Sequence, residues 1–297
     1  MKPQARQIES PDERAKRAGL PLRRAALTSF PSATGVLGHL AFLQAPLDML
    51  MTDFQLGLGI NPPLWTLSLE ISFYIVLPLV ARHYFRHPLI GLAIAAAIAI
   101  GWHLAFGHLD GLTSALGLEP DDSRLYAIVL ASDYQLPGWA FSFAAGMTAA
   151  WGYVRLTRDP PRGLTRRAGR AQILALAGVV ASVYLSARYG IRELELAPAT
   201  SPDQALAAVN TAGIGRRAPL VGLLFTATLA MLIVATALSS AGRQWPFANR
   251  GIRWLGDISY GIYLIHFPVL AYVLAALGPS QDGSPATFVL WTALVLV

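Results

Sequence analysis

Residues Leu89–Phe106 read LIGLAIAAAIAIGWHLAF, an apolar run with one histidine and no charged side chain. An α-helix needs on the order of 20 such residues to cross about 30 Å of hydrocarbon. The rest of the chain has the same character: 54% of its residues are hydrophobic, 13% are charged and the mean hydropathy is +0.48. Because a soluble domain carries roughly a quarter charged residues, the sequence predicts a membrane protein.

Five further stretches have the length and composition of membrane-spanning helices. They are Leu64–Ala81, Leu136–Val154, Ala171–Tyr189, Pro219–Leu238 and Ile258–Leu277. A weaker stretch, Pro31–Met51, is interrupted by polar residues, and Ala286–Val297 stays apolar to its last residue. We therefore expect an all-α, polytopic transmembrane bundle of about eight spans, cut inside its final helix.

The arginines predict how the bundle is oriented, because cytoplasmic loops are enriched in Lys and Arg. If the loop around Arg162 is inside, alternation also places Arg82 and Arg243 inside and acidic residues such as Asp121 outside. Residues 1–30 then form a basic cytoplasmic tail and residues 31–297 the transmembrane domain. The prediction is a multi-pass protein of the inner (cytoplasmic) cell membrane with its N-terminus in the cytoplasm.

Composition also argues against several other functions. The net charge is +6, but the arginines are spread between apolar runs, so the charge does not indicate nucleic-acid binding. The chain has no cysteine, and its histidines lack the helical spacing of metal ligands inside a span. No metal site is expected. The phosphate-binding, dinucleotide-binding and hydrolase motifs of soluble enzymes are absent as well.

Glu70 lies well inside the apolar stretch that begins at Leu64. A carboxylate at that depth costs several kcal/mol unless it is neutralised, paired or hydrated, so such residues are functional by default. A structural acid that orients neighbouring helices is the alternative. Helical spacing puts Glu70 on one face with Thr66, Phe73 and Leu77. The adjacent face carries Trp65, Ser68 and Ser72.

His266 shares a predicted helix face with Ser259 and Tyr263. Such a polar stripe should face the bundle or a cavity, because lipid offers it no hydrogen-bonding partner. Histidine acts as a general base near neutral pH, although a structural histidine fits the same pattern. At 1.5 Å per residue, Glu70 and His266 differ by roughly 9 Å in depth within a core of about 30 Å. A direct contact is therefore not implied. His39 is a third polar residue predicted at membrane depth.

Residues Trp65–Tyr74 read WTLSLEISFY, and Leu255–Pro268 read LGDISYGIYLIHFP. The first is similar to the W-S-L-x-x-E-x-x-F-Y segment of the membrane acyltransferase-3 family. The second resembles that family's L-G-x-x-S-Y-x-x-Y-L-x-H-x-P segment. Weaker matches at His39–Gln44 and Pro137–Gly146 occur in the family's order, so the resemblance covers most of the chain.

The resemblance implies a membrane-bound O-acyltransferase that moves an acyl group, commonly acetyl, from acyl-CoA to a hydroxyl of a sugar, glycan or related acceptor. Acyl-CoA would be a co-substrate that enters at the basic cytoplasmic loops, and no bound cofactor is implied. Glu70 and His266 are the catalytic candidates: a general base deprotonates the acceptor hydroxyl, which attacks the thioester carbonyl. The residues expected at the acceptor are Trp65, Ser68, Tyr74, Tyr263 and His39, whereas none is assigned to the donor.

The chain also departs from the family pattern. Family members usually open with a span that carries a D-G-x-R-x-x-A segment and a histidine held to be the catalytic base. Nothing before Pro31 resembles that span. We therefore expect this chain alone to transfer acetyl no faster than a blank, and an upstream span to restore turnover. Two alternatives remain open: a transporter or flippase-like binder whose intramembrane Glu and His relay protons, and an inactive scaffold.

Overall fold

The computed structural model describes residues 33–50, 62–117, 128–129, 131–195 and 214–277. Within these ranges the chain is helical and contains no strand, which confirms the predicted all-α class. The predicted tail at residues 1–30 and the predicted span Ala286–Val297 lie outside the described residues, as does most of the segment between residues 117 and 131.

Ten helices account for most of the described residues, and a short 3-10 turn at Pro62–Leu64 precedes the third. They are α1 Ala33–Leu40, α2 Gln44–Leu50, α3 Trp65–Tyr84, α4 Pro88–Phe106, α5 Leu109–Ala115, α6 Leu136–Arg158, α7 Leu164–Glu195, α8 Ile214–Leu238, α9 Ala241–Ala248 and α10 Arg250–Leu277. Helices α4 and α6 each have a proline in their first turn, where the missing N–H has no intrahelical partner to lose.

Four described segments are long and apolar enough to cross a membrane: Trp65–Tyr84, Pro88–Gly107, Leu164–Ala187 and Leu220–Leu238. Each overlaps a span predicted from the sequence. Helices α6 and α10, with 23 and 28 residues, extend about 34 and 42 Å at 1.5 Å per residue. They also have the length to cross.

The stretch Pro31–Met51 is not the single span that its composition predicts. Its described part forms two short helices, α1 and α2, joined by a turn in which Phe42 has a φ of 57°. Pro46 explains the break, since in a continuous helix its N–H would bond the carbonyl of Phe42, and proline has none. That carbonyl instead accepts a hydrogen bond from Ser68 Oγ at 2.9 Å.

The bundle packs through small side chains and exposes large ones. Nine of the twelve buried apolar residues in the described ranges are alanines, whereas Leu79 on α3 is 73% exposed. At Gly178 on α7, an added Cβ would lie 2.5 Å from Thr228 Cγ2 on α8, so these two helices approach closely. Small residues at contacts and large apolar residues outside are typical of helices packed within lipid.

Helix α6 packs against α4 and α8, and α8 packs along α7. The Arg243 side chain, just after α8, donates a hydrogen bond to the Gly169 carbonyl near the start of α7. At the other end of the bundle, Trp102 Nε1 near the end of α4 donates to the Ser132 carbonyl, just before α6, at 3.0 Å. The arginine-rich turns between α3 and α4, α6 and α7, and α8 and α10 therefore share one end, here called the basic end. The other is the opposite end.

Candidate functional site

The turn between α1 and α2 is fastened to the start of α3 by two hydrogen bonds. Gln44 is completely buried, and its Nε2 donates to the Leu64 carbonyl at 2.9 Å. The second bond is that of Ser68 Oγ to the Phe42 carbonyl. His39, in the last turn of α1, is also buried, and its carbonyl accepts from the Phe42 N–H at 3.1 Å. His39 and Ser68 are therefore on elements that contact each other.

Aromatic rings cover another side of the start of α3. The ring centroid of Trp65 lies 5.1 Å from that of Tyr134 and 5.6 Å from that of Trp139. Trp139 Nε1 donates to the Asp133 carbonyl at 2.7 Å, and Gln135 Nε2 donates to the Ala45 carbonyl at 2.7 Å. The segment that leads into α6 is thus fixed both to α2 and to the Trp65 ring.

Helix α10 contacts the start of α3 through Tyr263. Its hydroxyl lies 3.0 Å from the Pro63 carbonyl and 3.2 Å from Thr66 Oγ1. One turn later, His266 Nδ1 lies 2.6 Å from the Tyr263 carbonyl. A carbonyl oxygen only accepts hydrogen bonds, so Nδ1 carries the proton in this contact. The Nε2 lone pair of the neutral ring then remains available to accept a proton.

Glu70 is half-buried on α3, one turn beyond Thr66. Among the described residues no basic side chain forms an ion pair with its carboxylate. Helix α10 runs from the basic end to the start of α3, opposite to the direction of α3. At 1.5 Å per residue, Glu70 therefore lies about 6 Å from the Thr66–Tyr263 contact toward the basic end. His266 lies about 4.5 Å from the same contact toward the opposite end. The two catalytic candidates belong to one pair of helices but stand at different levels.

We call the side chains that meet here the α3-start cluster: Gln44, Trp65, Thr66, Ser68, Tyr134, Trp139 and Tyr263. It contains three of the five residues predicted at the acceptor, Trp65, Ser68 and Tyr263, and His39 is on the adjoining helix. Tyr74 does not join it, because it is 59% exposed on another face of α3. Four members of the cluster were not among the site residues predicted from the sequence: Gln44, Thr66, Tyr134 and Trp139. The sequence signals for Gln44 were that a polar side chain interrupts the apolar stretch Pro31–Met51 and that the weak family match His39–Gln44 ends there.

Two groups shape the electrostatics near the cluster. Gln44 Oε1 is buried, and no described group donates a hydrogen bond to it. Such a group is uncommon in a folded protein and calls for an explanation. Although Asp133 as a whole residue is exposed, desolvation of its carboxyl raises its pKa above the ordinary value, and His103 opposes that rise. Among the described residues, no three His, Cys, Asp or Glu side chains are grouped to hold a metal ion.

The basic end has a cleft of about 500 Å³ between the end of α3 and the last turns of α6. The Arg155 guanidinium lies 5.4 Å from the centre of the Trp151 ring, a distance that permits a cation–π interaction. Arg158 and Asp159 complete the rim. An aromatic ring beside two guanidinium groups offers a stacking surface and positive charge for a phosphorylated ligand.

A family model described as an acyltransferase domain matches residues 13–297. The chain is also 25% identical over 245 residues to the peptidoglycan O-acetyltransferase OatA of Listeria monocytogenes serovar 1/2a. That alignment covers 79% of this chain and 32% of the relative, so the chain spans about a third of the relative's length. No solved structure matches the chain.

Proposed function

This chain belongs to the acyltransferase-3 family, and we propose that it is a membrane-bound enzyme that moves an acetyl group from acyl-CoA to a hydroxyl of a cell-envelope glycan. The name of the matched relative, a peptidoglycan O-acetyltransferase, supports a glycan as the acceptor. The observation that carries the proposal is Glu70, a half-buried carboxylate within a membrane-length helix that pairs with no described basic side chain. Such a carboxylate is typical of a functional site.

The α3-start cluster has the chemistry of a sugar site. Trp65 and Trp139 provide neighbouring flat apolar rings against which a sugar can pack. The acceptor would therefore bind at the opposite end of the bundle, against the start of α3.

In the proposed reaction, Glu70 accepts a hydrogen bond from a second hydroxyl of the acceptor and orients the sugar. A base removes the hydroxyl proton, the oxygen attacks the thioester carbonyl carbon, and the carbon–sulfur bond breaks to release CoA as its thiolate. His266 is a candidate for the base, because its Nε2 is free to accept a proton while Nδ1 bonds to the Tyr263 carbonyl. Tyr263 fixes His266 relative to α3.

We place the donor at the basic end. CoA carries several phosphate charges and an adenine ring, and the cleft at Trp151, Arg155 and Arg158 offers both an aromatic ring and cations. Arginine binds phosphate oxygens through paired hydrogen bonds. In this arrangement the donor and the acceptor enter from opposite ends, and the pantetheine arm of the donor would extend into the bundle so that its thioester meets the acceptor hydroxyl.

The test uses the protein expressed from its own gene, purified in detergent and mixed with radiolabelled acetyl-CoA and peptidoglycan fragments. We expect label on the glycan that mild base removes, as an ester would require. The Arg155→Gln and Arg158→Gln variants should raise the KM for acetyl-CoA with a smaller effect on kcat. If no label reaches any glycan, while membrane vesicles containing the protein take up or flip a saccharide, the transport interpretation is favoured instead.

A further inference from the structure

A groove of about 480 Å³ runs between α6, α7 and α8, and its lining reaches Leu164 and Arg167 at the basic end. It exists because small residues stand where larger ones would fill the space, including Ala145, Ala149 and Gly152 on α6 and Ala227 and Ala230 on α8. Along α6 the groove extends from Leu156 to Phe141, which is about 22 Å at 1.5 Å per residue. It is separate from the α3-start cluster and from the cleft at Trp151.

The groove is apolar along its length and positively charged at its mouth. Thr148 and Arg167 are the only polar residues among those that line it. The Thr148 hydroxyl is already engaged, at 2.7 Å from the Tyr84 hydroxyl, which in turn donates to the Ala144 carbonyl at 2.7 Å. Arg167 is exposed and has no ion-pair partner among the described residues. The lining therefore fits a long hydrocarbon with an anion at one end.

We propose that this groove binds one acyl chain of an anionic phospholipid, whose phosphate pairs with Arg167. Basic sites between helices near the membrane surface recognise anionic lipid head groups, and exposed arginines at 162, 166 and 170 add positive charge nearby. The pantetheine arm of acyl-CoA fits less well, because its amide groups would find no hydrogen-bonding partners along this wall. The proposal does not depend on the acyltransferase function.

The test compares lipids that differ only in head group. The purified protein, delipidated in a neutral detergent, receives dioleoyl phosphatidylglycerol or dioleoyl phosphatidylcholine, and both retained lipid and Tm are measured by native mass spectrometry and thermal unfolding. We expect phosphatidylglycerol to be retained at least several-fold more and to raise Tm by several degrees more. Arg167→Gln should abolish this preference. Arg82→Gln, an exposed arginine of the same end that does not line the groove, should keep it.

A second pair of variants tests the position of the acyl chain. A Cβ at Gly152 meets no atom within 4 Å, so Gly152→Leu should fill the groove without a clash and abolish retention of the lipid. Gly146→Leu, on another face of α6 and equally open, should have no effect. Equal retention of both lipids, equal behaviour of the Arg167 and Arg82 variants, or retention by Gly152→Leu would overturn the proposal. So would displacement of the bound lipid by acetyl-CoA, which would identify a donor site.

Discussion

The α3-start cluster and the α6–α7–α8 unit are held together by different kinds of contact. In the cluster, polar and aromatic side chains reach across long stretches of sequence, as Tyr263 does to Pro63 over 200 residues. In the α6–α7–α8 unit, alanines and glycines let neighbouring helices approach, and the main polar links are those of Gln172 and Arg243 at the basic end. The difference indicates that small-residue packing stabilises the bundle, while hydrogen bonds position the groups that could carry chemistry.

The largest expected effect is a difference between the two ends of the bundle in their accessibility to a reagent added outside the cell. The chain has no cysteine, so any thiol labelling of a single-cysteine variant comes from the introduced residue alone. Ser114→Cys on exposed α5, at the opposite end, should react with a membrane-impermeant maleimide in intact cells, whereas Thr165→Cys at the basic end should react only after permeabilisation. The arginines of the basic end dictate this result through the positive-inside tendency. Labelling in the reverse order would refute the orientation.

The next largest effect is on catalysis. Glu70→Gln keeps the size and much of the hydrogen bonding of the side chain but removes its charge. In the protein expressed from its own gene, we expect acetyl transfer to fall by on the order of 10- to 10²-fold, because a hydrogen bond to a charged group contributes about 1.5–3 kcal/mol, with the Tm nearly unchanged. Asp257→Asn, an exposed acid on α10, should transfer at the normal rate. Wild-type turnover in Glu70→Gln or Glu70→Leu would show that Glu70 has no part in the reaction.

A smaller effect tests the packing of the α6–α7–α8 unit. Gly178→Ala brings a methyl group against Thr228, and overpacking of this kind lowers stability by about 1–3 kcal/mol. Gly222→Ala on α8 meets no atom within 4 Å, so it should be neutral or stabilising by up to about 1 kcal/mol through helix propensity. Thermal unfolding in detergent measures both. If both variants lose stability equally, the close approach of α7 and α8 does not explain the role of Gly178.

The smallest effect concerns the contact that attaches α10 to α3. Tyr263→Phe and Thr66→Val should each lower stability by about 0.5–1.5 kcal/mol, the net value of one hydrogen bond. In a double-mutant cycle the losses should not add, because the two hydroxyls contact each other. Tyr260→Phe, an exposed tyrosine on the same helix, is the control and should leave stability unchanged. Additive losses would mean that Tyr263 and Thr66 act independently.

The spans were predictable because lipid imposes a simple demand, a run of apolar residues of sufficient length. The α1–α2 break was less visible. It depends on Pro46 withholding one hydrogen bond and on Ser68, which is distant in sequence, supplying another to Phe42. The sequence shows that Pro46 and Gln44 interrupt the apolar stretch. It does not show which distant residues then form hydrogen bonds with the interrupted segment.

The candidate site was predictable only in part. Glu70 and His266 were singled out because polar residues within apolar runs are rare, and the family resemblance added Trp65, Ser68 and Tyr263. Helical periodicity placed residues on faces without specifying which faces meet. The contact between Tyr263 and Thr66, and the burial of Gln44 against Leu64, depend on how distant segments pack.

The reach of Tyr263 across 200 residues has a consequence for biosynthesis. Helices α3 to α8 can enter the membrane and pair with sequence neighbours while the ribosome is still translating, since domains and hairpins form as they emerge. Helix α10 follows all of them, so the α3-start cluster gains Tyr263 only after those helices have been translated. A nascent chain arrested before residue 250 would already be a membrane-embedded bundle, yet it would lack Tyr263 and His266. Until α10 is made, the polar residues at the start of α3 lack one of their partners. Quality-control proteins that recognise exposed polar residues within the bilayer would therefore have the longest time to bind at this position.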